Sequence, residues 1–124
     1  MHIPTVVIVE DSPTQAKLIA SQLAKYGVIT VIADDGLAGL RAVYEYQPDL
    51  VVLDVNLPTM DGFQVCYRLK RDPDTAHVPV VMLTVEADAE ETLVGLDMGA
   101  DDYIPKDGFA TENLIVTLQT MGLI

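Results

Sequence analysis

Short apolar runs rich in β-branched residues recur along this chain with helical-period stretches between them, and this alternation constrains the fold more than any other feature. Thr5–Val9, Val28–Ile32, Leu50–Leu53 and Val78–Leu83 have the composition of strands buried on both faces, without the polar alternation of a strand that has one wet face. Between them, Thr14–Tyr26, Gly36–Tyr46, Gly62–Lys70 and Ala87–Met98 repeat apolar residues at helical spacing. A weaker stripe from Glu112 to Met121 carries Leu114, Ile115, Leu118 and Met121. Gly27 and Gly99 sit where helix C-caps belong, and Pro13, Pro48, Pro58 and Pro73 fall in or beside connections. Each parallel crossover needs a helix, and right-handed crossovers place helices on both faces. The pattern therefore predicts one α/β domain of 124 residues built on an open parallel sheet.

Composition narrows the function classes. Nineteen acidic residues face seven basic ones, a net charge of −12, which argues against the phosphate contacts of a nucleic-acid binder. From Glu86 to Glu112 there are nine carboxylates and a single basic residue, Lys106. No apolar run is long enough to span a bilayer, and the Met-His-Ile-Pro start has no signal-peptide character, so a cytoplasmic location is expected. Cys66, at helical spacing from Val65 and Leu69, reads as a small core hydrophobe. His2 and His77 are isolated in the sequence, and no histidine metal site is expected.

Four segments place polar chemistry where strands end: Val9-Glu10-Asp11, Leu53-Asp54-Val55-Asn56, Leu83-Thr84-Val85-Glu86 and Tyr103-Ile104-Pro105-Lys106. Strand ends of a parallel sheet share one crevice, so these residues are expected to meet. Glu10, Asp11 and Asp54 together would form a hard oxygen site suited to Mg²⁺, and without a cation they would repel. A carboxylate in such a site can attack phosphorus, Thr84 can donate a hydroxyl to a phosphoryl oxygen, and Lys106 supplies a point charge. Singly each residue has an ordinary alternative. Glu10-Asp11 could be a helix start before Pro13, Asp54 a turn acid, Thr84 a strand residue and Lys106 a solvated lysine.

The stretches Val-Glu-Asp-Ser, Pro-Asp-Leu-Val-Val-Leu-Asp-Val-Asn-Leu-Pro-Thr-Met-Asp-Gly, Val-Pro-Val-Val-Met-Leu-Thr and Gly-Ala-Asp-Asp-Tyr-Ile-Pro-Lys resemble a response-regulator receiver domain over essentially the whole chain, residues 1–124. The resemblance implies a flavodoxin-like (βα)5 fold, and a two-component phosphorelay in which Asp54 accepts a phosphoryl group from a histidine kinase or phosphotransfer protein. It also implies that Glu10, Asp11, Asp54 and the backbone carbonyl of Asn56 hold Mg²⁺, and that Thr84 and Lys106 bind phosphoryl oxygens. Tyr103 would follow Thr84 in a switch that reshapes the face of the fourth predicted helix, fifth strand and fifth predicted helix. Asn56 and Glu86 would influence how long the acyl phosphate survives, with hydrolysis expected over long storage. Kinase recognition would fall around Thr14, Gln15, Leu18 and Gln22. Such a protein is a phosphoacceptor that assists its own phosphorylation and dephosphorylation, not a conventional enzyme.

Two departures from the family pattern stand out. The family commonly has a cis proline after the lysine, whereas here Pro105 precedes Lys106 and Asp107 follows it. A cis Lys106-Asp107 bond would cost about 2.5–4 kcal/mol, so either that strain is kept or the loop is rebuilt, with a like charge near the phosphate. The last predicted helix also lacks the arginines used by DNA-binding members for charge-paired dimers, so that kind of dimer is not expected. The apolar residues at the C-terminus leave three possibilities: a stand-alone receiver, a piece of a longer protein, or pairing with another copy as a homodimer. The competing class is a receiver-like docking module that is never phosphorylated. An aspartyl phosphatase would need an aspartate where Asn56 stands, and a flavin carrier would need a phosphate loop after the first strand.

Overall fold

A computed structural model describes residues 2–85, 93–94 and 96–124. Five strands, β1 (Thr5–Val9), β2 (Ile29–Ala33), β3 (Leu50–Asp54), β4 (Val80–Thr84) and β5 (Asp102–Pro105), form one parallel sheet in the order β2-β1-β3-β4-β5. Helices α1 (Pro13–Ala24), α2 (Gly36–Tyr46), α3 (Gly62–Arg71) and α4 (Ala110–Thr120) cover it. The helix expected over Ala87–Met98 falls largely outside the described residues, although 93, 94, 96 and 97 are helical.

Apolar strands alternate their side chains between two cores. Val7, Val9, Val51, Leu53 and Met82 pack on one face against α2 and α3, through Val43, Val65, Cys66 and Leu69. Val6, Ile8, Val52, Val81 and Leu83 pack on the other against α1 and α4, through Ala16, Ile19, Leu23, Leu114 and Leu118. This two-sided burial is the reason β1, β3 and β4 read as continuous apolar runs. β2 departs from that expectation: it lies at the edge of the sheet, and Ile29 and Ile32 are exposed. Leu123 and Ile124 fold back onto the second core, so these C-terminal apolar residues are engaged within their own chain.

Boundaries differ from expectation by one or two residues, for local reasons. Tyr26 and Gly27 lie past the end of α1 in a turn whose N–H groups bond three residues back, and Gly27 takes the left-handed conformation (φ 76°). β4 begins at Val80 because the Val78 N–H is already held by the Thr75 carbonyl and Pro79 has no N–H, while the Pro79 carbonyl accepts from Val51.

Because the order reverses direction at β1, the chain leaves β1 and β3 toward opposite sides and opens a crevice at their C-terminal ends. Val9 lies beside Leu53, Asp54 beside Leu83, and Thr84 beside Pro105, which brings the four polar strand ends to one level.

Candidate functional site: an acidic crevice with one lysine

Glu10 follows β1 and Asp54 ends β3, and both side chains are buried although carboxylates strongly prefer water. One oxygen from each of Glu10, Asp11 and Asp54 lies within 4.8 Å of the others, so the three acids converge as expected. Asp11 is the exposed member of the set. The helix-start alternative for this segment is filled by the next residue: Ser12 caps α1 by accepting from the Gln15 N–H at 3.4 Å, and Pro13 opens the helix. The Ser12 N–H in turn donates to Glu10 at 3.2 Å.

Lys106 enters from the end of β5. Its Nζ donates to Glu10 Oε2 at 2.5 Å and lies 3.1 Å from Asp54 Oδ2. Its own N–H donates to the Thr84 carbonyl at 2.6 Å, which continues the β4 ladder and fixes the level at which the side chain departs. The described backbone contains no cis peptide, so the loop is rebuilt with Lys106-Asp107 trans. The expected like charge is directed elsewhere: the Asp107 carboxylate accepts from the Phe109 N–H at 2.8 Å and its carbonyl from Ala110 at 3.2 Å, which starts α4.

Charge in the crevice is unbalanced. Burial raises the Glu10 carboxyl above its ordinary value; the Lys106 hydrogen bond opposes the rise and the Asp54 charge adds to it. Burial alone would lower the Lys106 ammonium, but its hydrogen bonds to Glu10 and Asp54, and their charges, outweigh burial and hold it above its ordinary value. One lysine thus serves two buried carboxylates, with a third close by. This donor set fits a hard divalent cation, which would take carboxylate oxygens and relieve the repulsion.

The remaining expected residues lie where the sheet puts them. Thr84 is fully buried at the end of β4, next to β3. Tyr103, on β5 opposite Met82, is half-buried against the α2/α3 core and its hydroxyl oxygen is buried. Asn56 is exposed in the loop after Asp54, and Glu86 lies outside the described residues.

The loop after Asp54 depends on a glycine. A Cβ on Gly62 would sit 2.2 Å from the Asp54 carbonyl oxygen, and the Gly62 N–H donates to Val55 at 2.8 Å. Asp61 and Gln64 close a capping box around the start of α3, and the Thr59 hydroxyl accepts from the Leu37 N–H at 3.2 Å, tying the loop to α2. These supporting residues were not foreseen individually; the Met-Asp-Gly sequence before an apolar helical stripe is the signal that marks them.

A family profile described as the response regulator receiver domain matches residues 6–119. The DNA-binding dual master transcriptional regulator RpaA of Synechocystis is 38% identical over 118 residues, 95% of this chain and 48% of that protein. The DNA-binding response regulator MtrA of Mycolicibacterium smegmatis is 42% identical over 101 residues, 82% of this chain and 43% of that protein. The chain therefore spans about half the length of these relatives. A crystal structure of a putative response regulator from Chloroflexus aurantiacus superposes with a TM-score of 0.89 at 31% identity, covering 97% of this chain and 98% of that one. With the fold, the acidic crevice and the profile in agreement, the chain belongs to the response regulator receiver domains of two-component signalling.

Proposed function

We propose that this receiver accepts a phosphoryl group on Asp54 from a histidine kinase or phosphotransfer protein. The observation that carries the proposal is the crevice itself, in which Asp54 stands at a strand end within 3.1 Å of the Lys106 ammonium and beside Glu10 and Asp11. An Asp54 oxygen attacks phosphorus, the P–N bond of the phosphohistidine donor breaks, and the leaving imidazole recovers its electron pair and takes a proton from solvent. Lys106 exchanges its carboxylate partners for a phosphoryl oxygen, and the Thr84 hydroxyl donates to another. When bound by Glu10, Asp11, Asp54 and the Asn56 carbonyl, Mg²⁺ would supply positive charge that offsets the carboxylates and the incoming phosphoryl group.

Recruitment of Thr84 would shift the preferred position of Tyr103, two residues before its partner Pro105 on β5, and so reshape the β5/α4 face for an effector protein. Donor docking is supported by a depression of about 220 Å³ beside Lys106, lined by Gln15, Leu18, Ile19 and Ala110 among others, with Leu18 exposed. Residues 1–124 would act as one receiver domain. Its chemistry is that of a phosphoacceptor assisting its own phosphorylation and dephosphorylation, in the cytoplasm; no helix among the described residues is long and apolar enough to cross a membrane. A docking module that is never phosphorylated is not favoured, because the acid cluster and its lysine are assembled together.

Incubation with Mg²⁺ and acetyl phosphate tests the proposal. The intact mass should rise by one phosphoryl group in the parent and not in Asp54→Asn. Equal labelling of both proteins would exclude Asp54 as acceptor, and no labelling of either would support the docking module.

A further inference from the structure

The two edges of the sheet are guarded differently. β5 carries a charge, Asp102, and a proline, Pro105, both of which discourage another strand from pairing. β2, at the opposite edge, reads Ile-Thr-Val-Ile-Ala, with no charge and no proline, and Ile29 and Ile32 are 52% and 45% exposed. Its inner side is spent on β1: the Ile29 N–H donates to Pro4 at 2.9 Å and the Ala33 carbonyl accepts from Glu10 at 3.0 Å. Backbone groups alternate along a strand, so Ile29, Val31 and Ala33 turn toward β1, and the N–H and C=O groups of Thr30 and Ile32 turn outward.

We propose that β2 pairs antiparallel with β2 of a second copy of this chain, about a twofold axis at Val31, joining two five-stranded sheets into one. This register sets Thr30 opposite Ile32 of the second copy and Ile32 opposite its Thr30, and each pair exchanges both backbone hydrogen bonds. Val31, Ile32 and Ala33 border a depression of about 490 Å³ whose other wall is α2, with Arg41, Ala42 and Glu45. The same twofold lays the two α2 helices antiparallel on one side of the joined sheet, Arg41 of each facing Glu45 of the other. An extended segment of an unrelated protein could meet the backbone groups; a second copy also brings Arg41 and Glu45 in reversed order, so each charge meets its opposite, while Asp34, which lines the same depression, adds to the repulsion between copies. Each chain carries a net charge of −12, so the copies repel at long range and added salt should strengthen the pairing. Asp54 lies on β3, separated from the joint by β1, and both crevices remain open.

Sedimentation equilibrium of the whole chain over a concentration series, at low and moderate salt, tests the proposal. A reversible monomer–dimer equilibrium that tightens with salt is expected, and Ile32→Lys should weaken it about tenfold or more. Arg41→Glu and Glu45→Arg should each weaken it, and an equimolar mixture of the two variants should form the dimer again, because each then faces its opposite charge. Protection of the Thr30 and Ile32 amides from hydrogen exchange should also rise with concentration in the parent, a readout independent of any variant's folding. A monomer at every concentration, a dimer indifferent to Ile32→Lys, or charge variants that fail to recover on mixing would overturn it.

Discussion

Two lysines, one at each end of the sheet, show how the same side chain serves structure in one place and leaves charge unresolved in another. At the lower end, Lys70 of α3 donates to the Ala76 carbonyl at 3.3 Å, the Val78 carbonyl at 2.7 Å and Asp101 at 3.0 Å. The same Asp101 oxygen accepts from the Val80 N–H at 2.8 Å, so one ammonium meets one carboxylate and its three protons have three acceptors. At the upper end, Lys106 meets two buried carboxylates with a third nearby, and negative charge is left over. The first arrangement is complete and holds the connections before β4 and β5. The second gathers more carboxylates than its one lysine can match, and it is there that a cation or phosphoryl group is expected to change the energy most.

Substitutions at the two lysines sharpen this contrast, and the larger effect is expected at Lys106. Lys106→Met should lose the structural response to phosphorylation and, without divalent cation, destabilise the fold by about 3 kcal/mol because two buried carboxylates lose their partner. Mg²⁺ should recover much of that stability. Denaturant unfolding with and without Mg²⁺ checks this; a loss that Mg²⁺ leaves untouched would contradict a shared acidic site. Lys70→Met should cost roughly 2 kcal/mol, the scale of hydrogen bonds to a charged group, with no recovery in Mg²⁺ and no change in phosphorylation rate. An altered labelling rate in Lys70→Met would show that the two ends are coupled.

Smaller effects concern the parent protein. Mg²⁺ at tenfold excess over its Kd should add about 1.4 kcal/mol and raise Tm by several degrees, while Asp54→Asn should respond less. A Tm indifferent to Mg²⁺ at any concentration would count against the crevice as a metal site. The pH dependence should be weaker still. Between the ordinary glutamate value of 4.5 and the raised native value of Glu10, the native state keeps a proton that the unfolded chain has released, so stability contributed here falls as pH rises. The stability difference between parent and Glu10→Gln, measured without divalent cation, should decline across that window and then level off. The Lys106 contribution has the matching sign at the alkaline end: present below 10.5 and lost as pH rises through its raised native value.

Much of the upper end was legible in the sequence because its residues sit immediately after apolar runs, where a polar group must leave the core. Glu10, Asp54, Thr84 and Lys106 are each placed by the end of a strand, and parallel topology brings strand ends together. The conformation of the Lys106-Asp107 segment was not legible, since it depends on Asp107 finding the Phe109 N–H. The lower end was scarcely legible at all. Lys70 reads as a surface lysine unless its spacing of four from the buried Cys66 is noticed, and its acceptors are backbone carbonyls that have no residue signature. Cys66 itself behaves as expected: it is fully buried, its thiol donates to the Met98 carbonyl at 3.5 Å, and burial pushes that thiol up to about 11.

Locating the phosphoryl group shows most directly whether Asp54 is the acceptor. After reaction with acetyl phosphate and Mg²⁺, borohydride reduction would convert an aspartyl phosphate to homoserine, which peptide sequencing by mass spectrometry can assign. Homoserine at position 54 alone is the predicted result. A reduced residue at Asp11 or Glu10, or a borohydride-resistant adduct elsewhere, would contradict the assignment of Asp54 as the residue that the crevice is built to phosphorylate.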